Sequence, residues 1–135
     1  MKSHRFPVRI YYEDTDFSGN VYHAAYLKFF ERGRTEFLRE MGVHHAALAA
    51  EGLAFAVRSM TIEFLGAAHI DDLLVVNTEV AAVSGARLVL EQTIHREAAV
   101  LTAARVTVVA IRTTGGPARL PAALRAALDP AGSPA

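Results

Sequence analysis

The sequence contains no cysteine, and this absence excludes several kinds of site together. Without thiols the chain can form no disulfide scaffold, zinc–thiolate site, iron–sulfur cluster or cysteine nucleophile. The chain also lacks net formal charge, because 14 Lys and Arg balance 14 Asp and Glu. This balance gives no electrostatic reason to expect nucleic acid or an anionic membrane as the main partner.

Long apolar runs are missing as well. No stretch approaches the ~20 apolar residues that a membrane-spanning helix needs, and the N-terminus lacks the apolar centre of a secretion signal. We therefore expect a cytoplasmic protein without a membrane span. Hydrophobic residues nevertheless make up 52% of the 135 residues, which is the length of one ordinary domain. This surplus favours a homo-oligomer, because a partner subunit can cover apolar surface.

Aromatic and aliphatic residues recur at helical spacing over residues 23–41 and predict one long helix with a wide buried face. Gly33 lies inside the apolar arc, where the missing side chain lets another backbone come close. Arg34 lies in the same arc, one turn after Glu31, and this spacing predicts a half-buried ion pair. A shorter helix is predicted over residues 44–51.

The remaining chain has the alternation of β-strands. A short strand is predicted before the long helix, at residues 9–12, and a four-stranded antiparallel meander after it. Pro121 opens a last short helix that ends near residue 128. We predict a single α+β domain over residues 1–128, with an antiparallel sheet packed on one long helix, and a disordered tail over residues 129–135.

The polar turn between the first strand and the long helix holds the densest acidic cluster. Asp14, Asp16 and Ser18 have the spacing of a calcium loop, but Ala25 stands where the chelating Glu belongs. The two Asp residues also have the spacing of a phosphoryl-transfer pair, although that chemistry usually resides in larger domains with parallel strands. Judged without their sequence context, Asp residues in a turn before a helix are most often caps of that helix.

A third interpretation uses the start of the helix itself. Its first-turn N–H groups are unsatisfied and carry partial positive charge, so they can polarise a carbonyl. Asp16 on the preceding turn and the N–H near His23 would then form a minimal acyl-transfer site. The other histidines have no metal-ligand spacing, and no metal is predicted.

The segment that contains these residues resembles the 4-hydroxybenzoyl-CoA thioesterase family, and within it the Tol–Pal-associated acyl-CoA thioesterase subgroup. The resemblance covers roughly residues 5–112. It is carried by Tyr11-Tyr12-Glu13-Asp14-Thr15-Asp16, Val21-Tyr22-His23, Phe55-Ala56-Val57-Arg58-Ser59-Met60 and Asp71-Asp72-Leu73.

This resemblance implies a hotdog fold, in which the sheet wraps the long helix, and a homodimer or homotetramer with active sites at the dimer interface. It implies that Asp16 is the catalytic carboxylate, either as a nucleophile or as a general base. The helix-start amide at His23 would polarise the thioester carbonyl, and its imidazole would orient Asp16, water or substrate.

The expected reaction is hydrolysis of an acyl-CoA thioester to a free acid and coenzyme A. No cofactor is expected, since coenzyme A enters as part of the substrate. We predict substrate contacts at five further positions: Gly19, Val21, Tyr26, Arg58 and Ser59. A rival interpretation is a non-catalytic module that binds acyl carrier protein or a partner in envelope or lipid synthesis.

Overall fold

In the computed structural model, which describes residues 3–130, one long helix packs against a five-stranded antiparallel sheet. This arrangement confirms the predicted α+β class. The elements in chain order are β1 (Ser3–Arg9), α1 (His23–Glu40), α2 (His45–Ala50), β2 (Leu53–Phe64), β3 (Leu73–Val83), β4 (Arg87–Arg96), β5 (Ala99–Arg112) and α3 (Ala122–Leu128).

The strand order is β1-β3-β4-β5-β2, so the predicted four-stranded meander is wrong in one respect. β3, β4 and β5 follow one another as hairpins, but β2 pairs with β5 and not with its successor β3. Residues 65–72 connect β2 at one edge of the sheet to β3, which lies next to the opposite edge strand β1. Side-chain alternation predicts that a strand exists but says nothing about its neighbour, because pairing is decided between distant segments.

The first strand lies earlier than residues 9–12. β1 spans Ser3–Arg9 and contains Pro7, whose missing N–H is tolerated because β1 is an edge strand with β3 as its neighbour. Tyr12–Asp14 forms a 3-10 turn instead of a strand. The Asp14 carboxylate accepts a hydrogen bond from the backbone N–H of Tyr11 at 2.9 Å, and this contact stabilises the turn.

The long helix is confirmed, with bounds within one residue of the predicted ones. Its buried face is built from an aromatic stripe at three- and four-residue spacing: Tyr26, Phe29, Phe30 and Phe37. Leu27, which the helical wheel places in the apolar arc, is 45% exposed, so the buried face is narrower than predicted. A subunit partner is one means of covering that edge.

Gly33 lies on the face of α1 that packs against Val76 of β3. A Cβ at this position would lie 2.5 Å from Cγ1 of Val76 on β3, so a side chain and not a backbone fills the space. Val76 is β-branched and has little rotamer freedom with which to move away. The missing side chain therefore sets the distance between helix and sheet.

We expect Gly33→Ala to lower the free energy of unfolding by about 1–3 kcal/mol, because overpacking outweighs the helix-propensity gain. Urea denaturation measures this change. In the double variant with Val76→Ala the clash is removed, so the two substitutions together should cost less than the sum of their separate effects. Simple additivity would contradict the packing argument.

Arg34 does not form the predicted ion pair. Its guanidinium donates to the side-chain oxygen of Gln92 at 3.4 Å, and Glu31 acts on it only through its charge. The Gln92 amide in turn donates to the Phe30 carbonyl at 3.0 Å and to the Thr78 hydroxyl at 2.9 Å. Burial lowers the pKa of Arg34. This polar network ties α1 to β3 and β4 through the core.

The hydrophobic core extends from Val8 on β1 to Leu128 at the end of α3. Single-domain organisation over residues 1–128 stays a prediction, and most of the expected disordered tail, residues 131–135, lies outside the described residues. Within residues 3–130, no helix is both long and apolar enough to cross a membrane.

Candidate active site

A tight turn between Asp16 and Asn20 presents the Asp16 carboxylate, the last of the acidic cluster. The Asp16 N–H donates to the Asn20 carbonyl at 2.8 Å, and the Gly19 N–H donates back to the Asp16 carbonyl at 3.0 Å. Gly19 has a φ of +85°, which glycine adopts without steric strain. Thr15 and Val21 pair as a β-bridge across the base of the turn. The Asp16 side chain is thus exposed on a turn closed by backbone hydrogen bonds.

The Asp16 carboxylate is stabilised in its ionised form. The Ser18 hydroxyl and the Ser18 backbone N–H, the latter at 2.8 Å, both donate to Oδ1 and hold the pKa of Asp16 below its ordinary value. The sequence predicts a lowered pKa from the nearby helix N-terminus. The direction agrees, but the hydroxyl of Ser18 is the largest cause.

The start of α1 offers free backbone donors. Tyr22 is the N-cap residue and its side chain makes no capping hydrogen bond. The N–H of Ala25 closes back on the Tyr22 carbonyl at 3.0 Å, whereas in the part of the chain that the structure describes no acceptor pairs with the N–H of His23 or Ala24. An uncapped helix start is suited to bind a carbonyl oxygen or an oxyanion.

The crossover connector, residues 65–72, closes this region from the other side. Its Ala68 carbonyl accepts the N–H of Val21 at 2.9 Å, and its Ile70 N–H donates to the Gly19 carbonyl at 3.1 Å. The Tyr26 hydroxyl accepts the N–H of Ala68 at 3.1 Å, and burial raises the pKa of this phenol, which favours its neutral form. The turn, the helix and the connector are therefore held as one unit.

Together these segments form an open cleft of about 500 Å³, hereafter the cleft. Its lining residues are Asp16, Asn20, Val21, Tyr22, His23, Tyr26, Phe64, Gly66 and Ala67.

Four of the site residues predicted from the sequence thus share one cavity, namely Asp16, Val21, His23 and Tyr26. Gly19 shapes the turn through its conformation but does not line the cleft.

Arg58 and Ser59 are not part of the cleft within residues 3–130. Both are exposed on β2, where a register shift between Val57 and Ser59 marks a bulge. Their predicted contact with substrate depends on a partner subunit and stays a prediction.

Sequence reasoning missed two contributors to the cleft. Phe64, at the end of β2, stacks on the His23 imidazole with ring centroids 4.1 Å apart and an interplanar angle of 20°. Ser18, which fixes the Asp16 carboxylate, was considered only as a calcium ligand. The spacing Asp-x-Ser, typical of an Asx turn, is the signal that could have identified Ser18. Phe64 has no such local signal, because β2 reaches His23 only through the tertiary fold.

Within the described range, no three His, Asp or Glu side chains are grouped so that they could hold a metal ion. The ion pairs found within residues 3–130 lie outside the cleft lining. For example, Arg96 binds Asp72 at 2.8 Å and also donates to the Ala67 carbonyl at 3.0 Å, behind the wall of the cleft. The chemistry that the cleft offers is therefore that of one carboxylate beside backbone donors.

Replacement of Ser18 by Ala tests the electrostatics of this carboxylate. Reactions that need ionised Asp16 lose rate as the pH falls through its pKa, and in the wild type that pKa is lowered. In Ser18→Ala the pKa should rise toward its ordinary value, so the acidic limb of kcat/KM should move to higher pH. A kcat/KM profile from pH 3.5 to 8 measures the shift, and Ser84→Ala on the β3–β4 turn is the control. An unchanged limb would contradict this role of Ser18.

The chain is similar in sequence to known thioesterases. The family described as the Thioesterase-like superfamily matches residues 11–128. The chain belongs to this superfamily. It is 50% identical over 107 residues to the acyl-CoA thioesterase YbgC of Haemophilus influenzae, covering 78% of this chain and 79% of the relative. It is 48% identical over 108 residues to the acyl-CoA thioester hydrolase YbgC of Escherichia coli, covering 79% and 81%. The resemblance stated from the sequence is confirmed.

Solved structures of thioesterases share the fold of this chain. A probable thioesterase from Bartonella henselae superposes with a TM-score of 0.85 and 48% identity, covering 88% of this chain and 99% of its own. A mutant 4-hydroxybenzoyl-CoA thioesterase in complex with 4-hydroxybenzoyl-CoA superposes with a TM-score of 0.88 over 96% of this chain and 100% of its own. At 16% identity, this second likeness concerns the fold alone. The predicted hotdog fold is confirmed.

Proposed function

We propose that this chain hydrolyses acyl-CoA thioesters to a free acid and coenzyme A at the cleft. One observation carries the proposal: an exposed carboxylate with a lowered pKa shares a cavity with an uncapped helix N-terminus. The carboxylate of Asp16 supplies the attacking or activating group, and the N–H at His23 supplies the donor for the carbonyl oxygen. The acyl-CoA substrates of the YbgC relatives agree with this chemistry.

We favour Asp16 as the nucleophile. Its lowered pKa makes it a weak base at neutral pH, whereas a nucleophile needs only to be ionised and close. Because Ser18 donates to Oδ1, Oδ2 is the oxygen that would attack. Attack forms the new C–O bond and moves the carbonyl π electrons onto the oxygen, which the helix-start N–H binds. When the C=O bond re-forms, the C–S bond breaks, coenzyme A leaves as a thiolate, and an acyl–aspartyl anhydride remains. Water then cleaves the anhydride, releases the acid and restores the carboxylate.

The alternative is general-base catalysis, in which Asp16 takes a proton from a water that attacks the thioester directly. Rapid-quench mass spectrometry separates the two mechanisms. A nucleophilic Asp16 predicts a transient mass increase, equal to the acyl group, on the peptide that contains residue 16. Thiol release during the first turnover without any such adduct favours the general base.

Thiol release from short-chain, long-chain and aromatic acyl-CoAs tests the proposed activity. Turnover of at least one of these thioesters is the expected result. If the chain binds the thioesters or acyl carrier protein but releases no thiol, it is a binding module and the proposed hydrolysis is wrong. Acyl carrier protein as a further partner and the cytoplasmic location stay predictions.

We also infer that two copies of the chain pair along β2. β2 is a long edge strand without proline, whereas the opposite edge strand, β1, contains Pro7. An exposed edge of this length is a template for another strand. Val57 and Phe64 on β2 are 47% and 39% exposed, so pairing would also bury apolar surface. Since Phe64 lines the cleft, a partner at this edge would complete the active site.

A further inference from the structure

Asp16 lies between two cavities. One is the cleft, and the other is a shallow surface depression of about 540 Å³ that is widely open to solvent, hereafter the aromatic recess. The aromatic recess is lined by Tyr12, Glu13, Thr15, Asp16 and Phe17. Asp16 is the residue that the two linings share. A thioester whose carbonyl carbon is at the Asp16 carboxylate must extend its two substituents, the acyl group and the thiol arm, away from that point in different directions.

The chemistry of the two linings decides which substituent goes where. Besides the helix-start N–H that binds the thioester carbonyl, the cleft offers two hydrogen-bonding side chains, the Asn20 amide and the His23 imidazole. These groups match the amide-rich arm of coenzyme A. The aromatic recess combines two aromatic rings with the exposed Glu13 carboxylate, which repels the coenzyme A phosphates. An uncharged apolar chain meets no such repulsion.

The Phe17 side chain does not pack against the rest of the subunit. Its side chain is 104% exposed and the Tyr12 side chain is 79% exposed. The turn that carries Phe17 is closed by backbone hydrogen bonds between Asp16, Gly19 and Asn20. The Phe17 ring is exposed to water and lines the same depression as Asp16, so an apolar ligand that covers the ring gains the free energy of burial.

We propose that Phe17 and Tyr12 bind the acyl chain of the substrate, so that the enzyme selects thioesters whose apolar chain is long enough to cover both rings. This selection rests on the proposed thioesterase function. The acyl chain extends into the aromatic recess, and the coenzyme A arm occupies the cleft. Phe17 is then a specificity-determining residue, and Asp16 remains the reacting group.

Kinetics of Phe17→Ala with acetyl-CoA and octanoyl-CoA test this assignment. For octanoyl-CoA, kcat/KM should fall at least about tenfold, mainly through KM, because the apolar contact is lost. For acetyl-CoA the loss should be much smaller, since a methyl group reaches little of the rings. Leu73→Ala is the matched control, because Leu73 is 50% exposed and lines neither cavity. It should leave both substrates unaffected.

Equal losses for both substrates, or no loss, would overturn the assignment. Sedimentation of the variant identifies one cause of an equal loss: a smaller assembly means that a second copy of the chain covers Phe17. Calorimetry on an Asp16→Asn background gives a readout that needs no turnover. There, Phe17→Ala should weaken the binding of octanoyl-CoA and leave that of free coenzyme A unchanged. A wild type that hydrolyses neither thioester speaks against the proposed function, while this binding difference still decides the role of Phe17.

Discussion

Asp16→Asn should reduce kcat on the best acyl-CoA substrate by on the order of 10²–10⁴-fold, or more if Asp16 forms the acyl intermediate. The amide keeps an oxygen that can accept the two Ser18 hydrogen bonds, so the turn should survive the substitution. What is lost is the negative charge and the proton-accepting or attacking oxygen. Thiol release measures kcat, and circular dichroism with thermal unfolding checks the fold.

Asp71→Asn is the matched control for this experiment. Asp71 is also an exposed aspartate on a loop, and its φ of +73° is a conformation that asparagine tolerates. The control should retain wild-type turnover. If Asp16→Asn is as active as this control, Asp16 is not the reacting group and the interpretation of the cleft as a catalytic site is wrong.

Val57→Asp should dissociate the proposed dimer. In a single subunit Val57 is 47% exposed, so the new carboxylate stays hydrated and the fold should be unaffected. In a dimer paired along β2 the same carboxylate would be buried without a partner. That situation costs about 3–5 kcal/mol, which corresponds to an increase in the dimer Kd of at least about 100-fold. Sedimentation velocity over a concentration series measures the change.

Activity should follow the assembly, because the edge that Val57 occupies leads to Phe64 in the cleft. Specific activity of Val57→Asp should therefore fall at dilution and recover at high protein concentration. Val100→Asp is the matched control, since Val100 is 39% exposed on β5 and lies beyond the β2–β5 pairing. Dissociation by both substitutions, or by neither, would argue against pairing through β2.

Individual helices and strands could be predicted because periodicity and turn residues are signals within a few neighbouring residues. The aromatic stripe from Tyr26 to Phe37 has the period of a helix that is buried on one face, and α1 ends at Glu40, just before the predicted end. β3 and β4 belong to the predicted antiparallel meander and pair as a hairpin, because side-chain alternation within each strand is a local signal. β1 lies earlier than the predicted residues 9–12 and includes Pro7, which an edge strand tolerates.

Some features of the candidate site are likewise set by the local sequence, and others by the tertiary fold. Asp16 and His23 are neighbours because a short turn leads directly into α1, and the sequence alone indicates this. The contribution of Phe64 and the closure by Ala68 depend on the crossover from β2 to β3, which no local pattern encodes.

The sequence by itself therefore determined the order of helix and strands, the family, and the turn that carries the carboxylate. The tertiary structure decided that β2 pairs with β5, that residues 65–72 close the cleft, and that Phe17 projects into solvent beside Asp16. The physical reason is the range of the interactions. Helical periodicity and turn chemistry act within a few residues, whereas strand pairing and cavity shape arise from contacts between segments that are distant in the chain.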